Sequence, residues 1–159
     1  MTLWRRDRLT GTPVVVVAGR QDRPHLPAEG CPFCPGGLES PEPYDVRWFA
    51  NRWPALPDGR CEVVLYTRCH DASLASLGPE AAARVVDVWA GRTAALGARP
   101  DVAYVLVFEN RGREVGATID HPHGQIYAYP EVPRSRPASC PPPRAKAAPS
   151  VPRPPPPSR

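Results

Sequence analysis

Pro79 to Glu109 reads PEAAARVVDVWAGRTAALGARPDVAYVLVFE, and its two halves obey different periodicities. In the first, a proline opens the segment, Val85, Val88, Trp89 and Leu96 recur at helical spacing, and Gly97 follows. That pattern predicts a helix of about five turns over Pro79–Leu96. In the second half, Val102 to Glu109 (VAYVLVFE) is almost continuously apolar, as a central strand buried on both faces is. On the N-terminal side, Cys61 to Thr67 (CEVVLYT) has the same character and is expected to pair with it. Val14 to Ala18 is β-branched behind the turn-rich lead Leu9 to Pro13 and predicts another strand. On the C-terminal side, Gly124 to Tyr129 (GQIYAY) alternates and stops at Pro130, a last strand after the Gly112–Asp120 loop. Strands on both sides of one long helix predict an α+β domain, a mostly antiparallel sheet with the helix packed on one face. There is no run of alternating βαβ units, no G-x-G-x-x-G and no G-x-x-x-x-G-K-[ST], so any bound phosphate is held by something other than a Rossmann turn or a P-loop.

The chain has 159 residues, 20 Lys+Arg and 16 Asp+Glu, enough for one ordinary domain or half of a larger one. The excess of positive charge is confined to the end. Arg134, Arg136, Arg144, Lys146, Arg153 and Arg159 meet no acid, so residues 1–133 hold 14 basic against 16 acidic side chains. A slightly acidic body argues against nucleic-acid binding, which needs Lys and Arg gathered on a folded face. Residues 134–159 also carry 10 of the 24 prolines and almost nothing to bury, so they are expected to be a disordered Pro/Arg-rich tail behind a domain of residues 1–133. The abrupt change in composition is what truncation or a shifted reading frame produces. The longest aliphatic run, Val14 to Ala18, falls far short of the roughly 20 apolar residues of a membrane span. Met1 to Leu9 has Arg5, Arg6 and Arg8 but no apolar core behind them, so a secretory signal is not expected and the chain reads as cytoplasmic.

Five cysteines, an odd number, fit a metal site better than a disulfide framework. Cys31-Pro32-Phe33-Cys34 is a C-x-x-C knuckle, and the Pro35-Gly36-Gly37 turn after it can bring two thiolates onto one ion. Thioredoxin-like redox sites share the spacing but sit in βαβ surroundings that are absent here. A tetrahedral zinc needs two further ligands, and spacing leaves Cys61, Cys69, Cys140, His25, His70, His121 and His123 as candidates. Cys140 lies in the tail, His25 sits among prolines as an ordinary loop residue, and Cys61 reads as a small buried hydrophobe. His70, just past one strand, and His121, just before another, can each be delivered from a rigid edge, with Cys69 as a rival.

His121-Pro122-His123-Gly124-Gln125 carries most of the chemistry. In extended backbone, alternate residues lie roughly 6–7 Å apart on one face, so two imidazoles and an amide share a surface. Pro122 stiffens the link, and Gly124 reads as a place where a ligand can approach the backbone. If one imidazole ligates the metal, the other can attack phosphorus and form a covalent nucleotidyl-histidine, splitting one displacement into two. Gln125 can then donate to the phosphoryl oxygens. The plainer alternative is that both histidines bind metal.

CPFC, FANRW, FENRGREVGATIDHPHGQIY and the opening RRDRLTGTPVVVVAGRQDRP together resemble the N-terminal half of the galactose-1-phosphate uridylyltransferase family, within the histidine-triad superfamily. The likeness spans residues 5 to about 133, with H-P-H-G-Q downstream of both C-x-x-C and E-N-x-G, the family's order. Where most histidine-triad hydrolases place a third histidine, Gln125 stands, the family's mark of a transferase. The resemblance implies a histidine-triad-like fold and a structural Zn2+ on Cys31, Cys34, His70 and His121. It implies that His123 is the nucleophile, with Gln125 as its catalytic companion. It further implies Arg20 and Arg23 near the phosphates, Phe33, Phe49 and Asn51 around uridine, and Asn110, Gly116 and Thr118 on the loop that wraps the nucleotide. The plainer readings are core for Phe33 and Phe49 and a solvated charge for Arg20. This sequence departs from many members at Ile119-Asp120, where Asn-Pro is common, and at Cys69.

The implied activity is exchange of UMP between UDP-glucose and galactose 1-phosphate in galactose metabolism. The implied partner is a second copy of the chain or the missing C-terminal half, since the family's chains are about twice this length. Two other classes of function stay open at this point: a zinc- and nucleotide-binding fragment without turnover, and a nucleoside-phosphate hydrolase with water as acceptor.

Overall fold

The computed structural model describes residues 2–9, 11, 13–18, 30–115 and 117–132. Four strands form one antiparallel sheet: β3 (Arg47–Ala50), β4 (Cys61–Leu65), β5 (Tyr104–Phe108) and β6 (His123–Tyr129), in the order β3-β4-β6-β5. A separate hairpin pairs β1 (Thr2–Arg6) with β2 (Pro13–Val17). The single long helix among the described residues, α1, runs Pro79–Gly97 and connects β4 to β5. The α+β class, the antiparallel sheet and the helix on one face match the sequence reading. No helix among the described residues is long and apolar enough to cross a membrane. Arg20, Arg23, His25, Gly116 and Cys140, with the tail 134–159, lie outside the described residues.

Two expectations are corrected. Cys61–Leu65 and Tyr104–Phe108 do not pair, because β6 lies between them, antiparallel to both. The helical crossover makes β4 and β5 parallel and spaced by one strand, and the last strand fills the gap. Consequently β5 is an edge strand, half-buried with Tyr104 exposed, and β4 is the strand buried at every residue.

Strand alternation assigns the two faces of the sheet. On one face Val64, Ile126 and Ala128 pack against Val85 and Leu96 of α1, with Val88 and Trp89 beside them. Arg92 falls on the same helical stripe and is the charged residue that must be matched there. It meets Glu62 of β4, itself buried, through two bonds of 2.9 and 2.6 Å, and its guanidinium lies 3.6 Å from the centre of the Trp48 ring. The forked, doubly bonded pair offsets the cost of removing the Glu62 carboxylate from water. On the opposite face, Phe49, Val63, Gln125 and Phe108 lie directly opposite one another from strand to strand, and Leu65 is opposite His123.

Gly124 belongs to the helix face, and this corrects its reading as a point of ligand approach. A Cβ there would strike the Tyr66 hydroxyl and come within 3.1 Å of the Phe108 carbonyl oxygen. The close neighbour is the protein's own core, where Tyr66 is 1% exposed. Gly124→Ala should therefore destabilise the protein by about 1–3 kcal/mol in urea denaturation, as overpacking does. Adding Tyr66→Phe should recover most of that loss, and failure of the pair to recover any would contradict this packing.

Candidate metal centre and nucleotidyl-transfer site

The C-x-x-C knuckle is built by tight turns. Cys34 N–H donates to the Cys31 carbonyl (3.3 Å), Gly37 N–H to the Cys34 carbonyl (2.8 Å) and Glu39 N–H to the Pro32 carbonyl (2.9 Å). Gly36 has φ +85°, and a Cβ on Gly37 would lie 2.5 Å from the Cys31 carbonyl oxygen, so both glycines are needed for the chain to fold this closely. The turn presents both sulfurs to one side, where His70 and His121 arrive.

The ligand atoms of Cys31, Cys34, His70 and His121 all lie within 4.8 Å of one another. Cys34 Sγ is 3.5 Å from Nδ1 of each histidine. Burial, then the bond and charge of Cys31, and then Asp71 push the Cys34 thiol up to about 11. A compact donor set that resists a second negative charge is one that a dication satisfies, since metal binding deprotonates the thiols. His121 is 1% exposed, and its pKa is lowered chiefly by burial, with the charges of His70 and His123 adding to that against the opposing Thr67 bond. Its Nε2–H donates to the Thr67 carbonyl at 2.8 Å, which leaves the Nδ1 lone pair directed at the sulfurs. Two cysteine sulfurs and two imidazole nitrogens in this arrangement fit a tetrahedral soft-ligand metal site. Cys69 is exposed and outside the cluster, and Cys61 is buried, its sulfur accepting from Leu56 N–H at 3.2 Å, as a small packed residue does.

Tyr44 supports this cage and was not recognised from sequence, because its partners are backbone carbonyls that pattern reading cannot place. Its hydroxyl lies 2.6 Å from the Phe33 carbonyl inside the knuckle, 3.0 Å from the Thr67 carbonyl past β4, and 2.9 Å from His121 Nε2. Burial, then Cys34 and Cys31, raise the Tyr44 pKa, so the phenol keeps its proton, which goes to the Phe33 carbonyl, while its oxygen accepts from His121 Nε2–H. One side chain thus ties together the knuckle, the end of β4 and a ligand histidine.

His123 follows at the start of β6. Its Nδ1 is 2.7 Å from the His121 carbonyl oxygen. A carbonyl only accepts, so Nδ1 carries the hydrogen and the neutral ring bears its lone pair on Nε2. Phe33 stands edge-on to the ring, with centroids 5.1 Å apart. His123, His121 and His70 share a cleft of about 280 Å³ with Glu109, Asn110, Arg111 and Asp120. Arg111, the variable residue of E-N-x-G, also lines this cleft, which motif reading passed over.

The remaining expected residues divide. Asn110 lines the cleft. Phe33 and Phe49 meet at 6.1 Å and pack with Val63 and Leu65. Asn51 follows β3, and its Oδ1 accepts from Trp53 N–H at 2.8 Å in a local turn. Thr118 is half-buried in the loop before His121. Gln125 lies on the same face of β6 as His123, two residues further along.

Residues 49–133 match the family described as "Galactose-1-phosphate uridyl transferase, N-terminal domain". A galactose-1-phosphate uridylyltransferase from Streptomyces lividans is 51% identical over 132 residues, covering 79% of this chain and 37% of that protein. One from Thermotoga maritima is 41% identical over 150 residues, covering 82% and 47%. A solved structure described as "Structure of uridylyltransferase" superposes with a TM-score of 0.70 at 30% identity, covering 84% of this chain and 47% of the other. The chain spans less than half the length of the curated relatives it matches.

Removing a hydrogen bond behind a ligand histidine weakens metal affinity by about 10–100-fold. Tyr44→Phe should therefore lose metal to a competing chromophoric chelator at correspondingly lower chelator concentration. Unchanged competition would show that Tyr44 does not support the cage.

Proposed function

The chain belongs to the galactose-1-phosphate uridylyltransferase family through its N-terminal domain, and from that premise we propose that it transfers a uridylyl group through His123. UDP-glucose would be the donor and galactose 1-phosphate the acceptor. The observation that supports this reading is the 2.7 Å contact of His123 Nδ1 with the His121 carbonyl, which keeps the hydrogen on Nδ1 and the lone pair of the neutral ring on Nε2.

In the first step Nε2 attacks the uridylyl phosphorus. The Nε2–P bond forms, the P–O bond to glucose 1-phosphate breaks, and the electron pair leaves with that phosphate. The His121 carbonyl, accepting from Nδ1–H, stabilises the positive charge the ring acquires. In the second step a phosphate oxygen of galactose 1-phosphate attacks the same phosphorus, Nε2–P breaks, and the neutral imidazole returns. Gln125 donates to the phosphoryl oxygens, and Arg20, Arg23 and Arg111 offset their charge. Uridine is assigned to Phe33, Phe49 and Asn51, and the nucleotide's outer side to Asn110, Gly116 and Thr118. The metal is zinc, held by Cys31, Cys34, His70 and His121. When bound, it supplies a cross-link among the knuckle, the segment after β4 and the start of β6.

The short span relative to the curated relatives favours a second reading, in which these residues bind zinc and nucleotide but do not turn over by themselves. A coupled assay separates the two. Steady release of glucose 1-phosphate in the presence of galactose 1-phosphate supports full transfer, and nucleotide binding without turnover supports the fragment reading.

Incubation with UDP-glucose should leave one acid-labile uridylyl group per chain, detected by intact mass, and none on His123→Gly. Equal modification of that variant would refute the role of His123. Elemental analysis should return about one zinc per chain, lost in Cys34→Ser; folded protein freshly purified without zinc would overturn the metal assignment.

A further inference from the structure

Gln125 sits in an unusual place for a side chain asked to point an amide in one direction. Its directly opposite neighbours across the sheet are Val63 of β4 and Phe108 of β5, neither of which offers a side-chain hydrogen bond. An amide rotated by half a turn fills the same volume with donor and acceptor exchanged, so packing against these neighbours does not choose between the two orientations. Two residues further along β6, on the same face, Tyr127 engages one of them. Its hydroxyl donates to Gln125 Oε1 at 3.1 Å. The phenol is itself fixed: Tyr127 is 8% exposed and its ring meets Phe108 edge to face at 4.9 Å.

We propose that Tyr127 is a positioning residue for uridylyl transfer, acting through Gln125. By donating to Oε1 it commits the amide NH2 to the side on which the His123-bound phosphoryl group forms. This rests on the transferase reading of His123 and adds to it a residue two positions beyond the motif. A tyrosine is required because phenylalanine packs in the same space but leaves the amide free to turn over.

The test is a double-mutant cycle on the rate of His123 modification by UDP-glucose, with Tyr127→Phe, Gln125→Ala and the pair. Tyr127→Phe should slow modification about tenfold, the rate equivalent of one neutral hydrogen bond, at unchanged half-saturating UDP-glucose. In the Gln125→Ala background it should have no further effect. The same fold-loss in both backgrounds would overturn the proposal, because a merely structural tyrosine acts independently of Gln125. A second readout needs no reaction. The Gln125 side-chain amide pair in a nitrogen-proton correlation spectrum, assigned by its disappearance in Gln125→Glu, should lie away from random-coil positions and move towards them in Tyr127→Phe. A wild-type pair already at random-coil positions would overturn the proposal without any variant. If wild-type protein takes no uridylyl group, the transferase reading fails, and the amide spectrum alone decides whether Tyr127 orients Gln125.

Discussion

His121 is held at three points, and the site depends on all of them at once. Nδ1 faces the Cys34 sulfur at 3.5 Å, Nε2 donates to the Thr67 carbonyl at 2.8 Å, and the main-chain carbonyl holds His123 Nδ1 at 2.7 Å. The first contact sets the ring for a metal, the second fixes its tautomer, and the third passes that rigidity to the next histidine of the motif. Pro122 leaves little freedom between them. The candidate metal cage and the proposed transfer site are thus two ends of one short segment.

The sheet keeps this segment in place by separating its tasks. Even-numbered residues of β6, Gly124, Ile126 and Ala128, serve the helix face, where α1 and Tyr66 fill the core. Odd-numbered residues, His123, Gln125 and Tyr127, lie on the other face with Phe33, Phe49 and Phe108. A one-residue slip in register would bury the imidazole against α1 and turn Ile126 into the site, so the same apolar pattern that stabilises the fold also specifies the chemistry.

Much of this was legible locally. Pro79, the Val85 to Leu96 stripe and Gly97 announced the helix, and the β-branched, apolar and alternating runs announced four of the described strands, β2, β4, β5 and β6. Strand order was not legible, because the insertion of β6 between β4 and β5 is decided by long-range pairing and both outcomes give the same local pattern. Thr2–Arg6 and Arg47–Ala50 escaped notice as strands because mixed Arg and Trp runs carry no period. Gly124 signalled a close approach but not by what, and Tyr66 supplies the answer. The C-x-x-C spacing pointed to a metal. Spacing alone left His121 and His123 interchangeable, and the family resemblance gave the metal to His121. The geometry brings His121 into the cage with Cys31, Cys34 and His70. Tyr44 was invisible for the reason that its bonds are to main-chain oxygens far away in sequence.

The central claim is that the His121 carbonyl commits Nδ1 of His123 to its proton and therefore commits Nε2 to phosphorus. Protein carrying nitrogen-15 in its histidine rings, exposed to UDP-glucose and observed by phosphorus NMR, tests it directly. The account predicts a phosphorus signal split by coupling to Nε2 of His123. Coupling to Nδ1, or a bound phosphorus coupled to no ring nitrogen, would contradict it.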